Sequence, residues 1–237
     1  MLYIICGFIF GGLIPYLARR IGKLISLSMG GILLKIWWPN HYMPWEKLKN
    51  NETYMRLWRR YMMRSLGWGI FTAAMTCLFA LNFDTTFVWM YIVFLWILLL
   101  AVEVDKRFML LPDILTLPLL ILGFAYAAMQ GYWLALTEPY FIGYAANSVL
   151  GAATGFIIPL VASLFVVWKY PDAFGDGDIK LLTAIGAWVG FQVISYIILA
   201  ACVFFAVNCL INKQRAGAFG PSIVYATLAV VIFHFAF

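Results

Sequence analysis

Successive apolar runs of bilayer length constrain this chain more than any other feature. A helix of twenty residues rises roughly 30 Å, the thickness of a hydrocarbon core. Such runs predict helices at 1–18, 65–81, 85–104, 114–130, 140–168, 179–190, 191–211 and 221–237. The run 179–190 is too short to cross alone, so it is tilted, assisted by neighbours or merged with 191–211. Hydrophobic residues make up 65% of the chain and mean hydropathy is +0.94, which excludes an ordinary soluble domain. The expected fold is all-α. It is a single polytopic membrane domain over 1–237, with about eight transmembrane helices.

Charge orients the helices. With an outside N-terminus, eight crossings put 19–64, 105–113, 169–178 and 212–220 on the cytoplasmic side. All but one of the 16 Lys and Arg residues fall in those segments, and the exception, Lys180, lies two residues past one. The opposite loops carry only Asp84 and Glu138. This is the positive-inside pattern, and it places both termini outside. The first apolar run has no basic residue before it, unlike a signal peptide, so it reads as a retained helix.

The segment 19–64 is basic and aromatic, with Trp37, Trp38, Trp45, Trp58, Arg59 and Arg60 among its residues. Such a mixture could bind nucleic acid. Beside membrane helices a headgroup-level belt is favoured, so lipid is the expected partner and nucleic acid is not. Cys6, Cys77, Cys202 and Cys209 form no C-x-x-C pair and read as buried small hydrophobes. Asn147 and Asn208 read as hydrogen-bond partners between helices, and Gly143, Gly151 and Gly155 as close-packing positions.

Acidic residues are scarce, so their placement carries weight. Gly175-Asp176-Gly177-Asp178 opens one apolar run, and Asp105 closes another. The topology puts Asp105 and Asp178 at one depth, at or just inside the cytoplasmic face. A structural reading makes Asp178 a helix N-cap after a glycine turn. A chemical reading pairs it with Asp105, with Asp113 and Asp176 as other possible partners. Two close carboxylates share a proton, so one can activate water while the other polarises a carbonyl. That chemistry hydrolyses a peptide without metal or covalent intermediate. A carboxylate-only Mg²⁺ or Ca²⁺ site is a weaker alternative, since His41 and His234 fall on opposite sides. Lys180 could hold a carboxylate, although snorkelling to headgroups is favoured.

Val104-Asp105-Lys106-Arg107, continuing through Leu111-Pro112-Asp113 to Pro118, resembles the first signature of bacterial type IV prepilin peptidases. Gly175-Asp176-Gly177-Asp178-Ile179-Lys180 resembles their second, the GxGD motif. Phe219-Gly220-Pro221-Ser222 is similar to a third. The resemblance covers roughly residues 95–225, which would be the peptidase core. It implies an inner-membrane aspartic endopeptidase that cuts the basic leader from type IV prepilins or pseudopilins at the cytoplasmic face. By position it implies that Asp105 and Asp178 are catalytic. Gly175 and Gly177 would shape the approach to Asp178, with Asp176, Lys180, Pro112 and Asp113 as motif or accessory residues. The peptidase needs no metal or other cofactor.

Many members also methylate the new N-terminus with S-adenosylmethionine. Many carry two zinc-binding C-x-x-C pairs in the first cytoplasmic loop, whereas 19–64 has no cysteine. The implied peptidase function therefore transfers further than methylation. A proton-coupled transporter and a non-catalytic scaffold of a pilus or secretion machine are the competing readings.

Overall fold

A computed structural model describes residues 2–24, 31–32, 35, 52–82, 88–130, 143–167, 175–213 and 217–236. Among them the regular elements are helices: α1 (Leu2–Leu24), α2 (Glu52–Asn82), α3 (Val88–Phe108), α4 (Asp113–Gln130), α5 (Tyr144–Val167), α6 (Asp176–Asn212) and α7 (Gly220–Ala236). Five of them, α1, α2, α3, α5 and α6, are long and apolar enough to cross a membrane, and α4 and α7 are shorter apolar helices. His41, Asp84, Glu138, Asp172 and most of 25–51 lie outside the described residues.

Two helix boundaries depart from the apolar pattern. The expected run 65–81 is the C-terminal part of α2, which starts at Glu52. Good helix formers such as Met55, Arg56, Leu57, Met62 and Met63 precede Gly67, so the helix continues where hydropathy falls. The chain also stays helical past residue 104. Asp105 sits in the last turns of α3, and Lys106 and Arg107 complement the negative end of the helix dipole.

The helices group into two compact units, Met1–Val104 and Asp105–Phe237. In the first unit, α1 packs on α2 through its glycines. A Cβ on Gly7 would lie 2.9 Å from Thr76 Cβ, and one on Gly11 would lie 2.7 Å from Thr72 Cβ. Trp96 donates to Thr76 Oγ1 at 3.0 Å, and its ring stacks on Phe10 at 4.6 Å. Glu103 is buried on α3 and meets Arg64 of α2 at 2.9 Å. Glu103 is buried while Arg64 is about half exposed, so solvent screens part of the pair. Arg64→Met is therefore expected to destabilise the protein by about 1 kcal/mol, read by thermal unfolding in detergent. Adding Glu103→Gln should recover part of the loss. An unchanged unfolding temperature in the single variant would count against the pair.

In the second unit, α5 lies along α6 and α4 packs against α6. Backbone contact needs glycine here. Gly151 faces the Gly186 carbonyl, and a Cβ on Gly155 would lie 2.8 Å from the Leu182 carbonyl carbon. Gly143 does not share that role, since its Cβ would meet nothing within 4 Å. Trp188, fully buried, donates to the Leu119 carbonyl at 2.8 Å and stacks on Tyr126 at 5.6 Å. Gly123 leaves room for it, because a Cβ there would sit 2.8 Å from Trp188 Cδ1.

The expected runs 179–190 and 191–211 are merged as two arms of α6. Gly190 lies between them with non-helical φ 78° and ψ 173°. A straight helix would separate Gly177 from Phe205 by about 42 Å. Yet Phe205 meets Phe219 edge-on at 5.3 Å, and the next residue, Gly220, shares contact with Leu111 with Gly177. The second arm therefore turns back toward the start of the first. Asn147 of α5 fixes the bend by accepting the Phe191 N–H at 3.1 Å, which is the interhelical role expected of it. Asn208 differs: it accepts from Asn212 at 2.7 Å along its own exposed helix face. The cysteines differ too. All four are free, Cys202 is exposed and the others are partly exposed, so none is a core residue.

Candidate active site

Four chain segments converge at one end of the second unit. Met109, in the left-handed region at φ 51°, ends α3 and donates its N–H to the Asp105 carbonyl at 2.8 Å. The chain then runs through Leu111 and Pro112, both buried, into α4 at Asp113. Proline disfavours helix for the residue before it, so Leu111 is held off the helical path. Its backbone becomes a platform for Gly177. A Cβ on Gly177 would sit 2.8 Å from Leu111 Cβ and 3.1 Å from its carbonyl oxygen, so this glycine is required by the close approach.

Asp178 does not cap its helix. Gly175 is the N-cap and makes no side-chain cap bond, while Asp178 lies in the first turn with its N–H on the Gly175 carbonyl at 3.0 Å. α6 begins at Asp176, so Asp176 and Asp178 both lie in its first turn. Carboxylates there are favoured by the helix dipole. Asp176 is exposed and Asp178 is partly buried.

Asp105 is 5% exposed and accepts the Gly220 N–H on Oδ2 at 3.0 Å. Asp105 and Asp178 come to the same place around Leu111: Gly220, which bonds Asp105, and Gly177, the neighbour of Asp178, both approach that residue. The two lysines beside them in sequence are engaged elsewhere. Lys106 reaches the Tyr225 hydroxyl at 2.6 Å, and Lys180 meets Asp113 Oδ1 at 2.6 Å. Lys180 thus does not simply snorkel. It ties the start of α6 to the start of α4. Asp113 is held by that bridge, and both its members are about half exposed. Among the described residues, no group of three or more His, Cys, Asp or Glu side chains is disposed to hold a metal ion.

Sequence reasoning missed Gly220 as a partner of Asp105. Its only signal was position in Phe219-Gly220-Pro221-Ser222, to which no role could be given.

Residues 92–210 match the type IV leader peptidase family. The chain belongs to that family. The matched segment contains both aspartates and the Leu111–Asp113 turn, and α7 lies beyond it. Among similar relatives of this peptidase family is a "Prepilin leader peptidase/N-methyltransferase" of Escherichia coli K12. It is 35% identical over 140 residues, covering 56% of this chain and 57% of that protein. A protein of the same name from Vibrio cholerae is 31% identical over 133 residues, covering 54% and 49%. One from Dichelobacter nodosus is 31% identical over 172 residues, covering 70% and 55%. The chain spans about half the length of the curated relatives it matches. No solved structure matches it.

Proposed function

We propose that this chain is a prepilin peptidase that removes the basic leader of type IV prepilins or pseudopilins, with Asp105 and Asp178 as its catalytic pair. The observation that supports the reading is that two motif aspartates distant in sequence come to the same end of the unit around Leu111, Asp105 buried and bonded to Gly220, Asp178 partly open beside Gly177. One carboxylate, ionised, takes a proton from water as the water oxygen adds to the scissile carbonyl carbon. The other, protonated, donates to the carbonyl oxygen. Collapse of the tetrahedral adduct breaks the C–N bond, and the amine leaves with a proton. Products are a leader carboxylate and a free N-terminus, with no covalent enzyme intermediate.

The substrate's chemistry suits this end of the unit. A basic leader would meet Asp176 and the pair, while the hydrophobic helix that follows it would pack laterally among the spans. Helix ends also give water access without a channel through hydrocarbon. Eight crossings, with α6 counted as two arms, agree with the distribution of Lys and Arg and support an inner-membrane enzyme. Its termini would be periplasmic and its active site cytoplasmic.

The test is cleavage of a co-expressed prepilin by wild type and by Asp105→Asn and Asp178→Asn. The relatives' names also include N-methyltransferase, so we extend the proposal to methylation of the new N-terminus. S-adenosylmethionine would supply the methyl group. One added methyl on the mature N-terminus, seen by mass, decides the point.

The basic, aromatic segment 19–64 would seat the enzyme on anionic lipid in place of a zinc module. Neutralising its Lys and Arg residues other than Arg64 should slow processing on the order of tenfold; unchanged processing at equal abundance would remove that role.

A further inference from the structure

We infer that Gly220 is a positioning residue for this reaction: its N–H holds Oδ2 of Asp105 and leaves Oδ1 as the oxygen available to substrate and water. The inference rests on the peptidase reading above. It stands on how the start of α7 is built. The N–H groups at a helix start have no partner within their own helix, so each must find one elsewhere. Pro221 has no N–H to offer. The Ser222 and Ile223 N–H groups turn back to the Phe219 carbonyl, at 2.9 and 3.2 Å. Gly220 alone of these sends its N–H outward, and it meets Asp105 at 3.0 Å. That is the only hydrogen bond to the Asp105 side chain among the described residues.

The contact is close enough that a side chain at 220 would displace the Asp105 carboxyl. A Cβ on Gly220 would lie 2.6 Å from Asp105 Oδ2 and 3.2 Å from Leu111 Cδ1. Leu111 Cδ1 is a side-chain tip and can shift by a few tenths of an ångström, so the closer contact, with Asp105 Oδ2, is the one that decides. Two further contacts hold this end of α7 in place. Phe219 lies edge-on to Phe205 at 5.3 Å, and Tyr225 binds Lys106, the neighbour of Asp105, at 2.6 Å. A hydrogen bond on one oxygen restricts how a buried carboxylate can turn and so sets where its other oxygen points. This pre-orients the group, so no reorganisation is needed when the proton moves.

The experiment has two arms, both on the purified full chain in detergent. In the first, Gly220→Ala is compared with Gly67→Ala, a change that meets nothing within 4 Å. Gly220→Ala is expected to lower kcat for prepilin cleavage by roughly a hundredfold, with KM within about twofold, as for a misplaced reacting group. Gly67→Ala should keep both constants. An unchanged kcat, or a loss no greater than the loss of folded protein, overturns the inference.

The second arm does not need catalysis and is readable even where Gly220→Ala fails to fold. Amide exchange at Gly220 should be slow in wild type and in Asp105→Asn, whose side-chain carbonyl still accepts. It should be at least about tenfold faster in Asp105→Ala. Equal exchange in wild type and Asp105→Ala overturns the bond. A wild-type protein that cleaves no prepilin yet shows the protected amide refutes the peptidase reading, and with it the positioning role, while leaving the contact intact.

Discussion

Asp105→Asn and Asp178→Asn should each leave prepilin uncleaved while the protein accumulates in the membrane at its normal level. Asparagine keeps the shape of aspartate but can neither take a proton from water nor hold the dyad's shared proton. Loss of a positioned acid or base costs roughly 10²–10⁴ in rate, enough to abolish visible processing. Folding should survive, because the amide carbonyl brought by Asp105→Asn still accepts the Gly220 N–H, and position 178 is only partly buried. Two comparison variants sharpen the test. Asp113→Asn breaks an ion pair that is about half exposed, which is worth about 1 kcal/mol or less, so cleavage should persist. Asp176→Asn changes an exposed carboxylate and should weaken leader binding more than turnover. Cleavage by either Asp105→Asn or Asp178→Asn would end the assignment and move attention to Asp113 or Asp176. A transporter relay or a scaffold makes no such demand on both carboxylates.

Gly190→Ala should be strongly damaging although it adds a single methyl outside the motifs that carry the aspartates. The backbone at Gly190, φ 78° and ψ 173°, is in a region essentially reserved for glycine. Forcing another residue there costs of order 1–3 kcal/mol in strain. The new Cβ would also stand 2.5 Å from Asn147 Nδ2, so the side chain that accepts the Phe191 N–H must move. Together these should destabilise the protein by about 3 kcal/mol or more. Detergent-solubilised Gly190→Ala should unfold well below wild type and lose cleavage in parallel. Gly67→Ala, at a helical position with open space, should be neutral or slightly stabilising. If the two variants melt alike, the bend at Gly190 is not a tight, packed reversal.

The family was readable in the chain because its motifs are local. A pair of carboxylates at the ends of apolar runs stands out against lipid-compatible sequence, and the spacing Gly175-x-Gly177-Asp178 sits at a helix start. Hydropathy likewise marks the cores of the helices, since every crossing must hide its backbone from hydrocarbon. It does not mark their ends. Helix propensity carried α2 back to Glu52 and α3 on past Asp105, where hydropathy had already fallen. Cysteine was misread for a related reason: in an apolar chain a small hydrophobe is as compatible with an outward-facing position as with the core. Lys180 was read from its own chemistry, while its true partner, Asp113, lies 67 positions away.

The sequence by itself determined that this chain is all-helical, built for a membrane, and carries two motif aspartates at helix ends. Its periodicity and charge follow from the solvent each residue must face. Only the tertiary structure decided that α6 bends back at Gly190, that Lys180 takes Asp113, and that Gly220 reaches Asp105 across 115 positions. These depend on backbone groups and on close approach between distant segments. A backbone N–H is the same at every non-proline residue, so nothing in the letter G states which carboxylate it will meet.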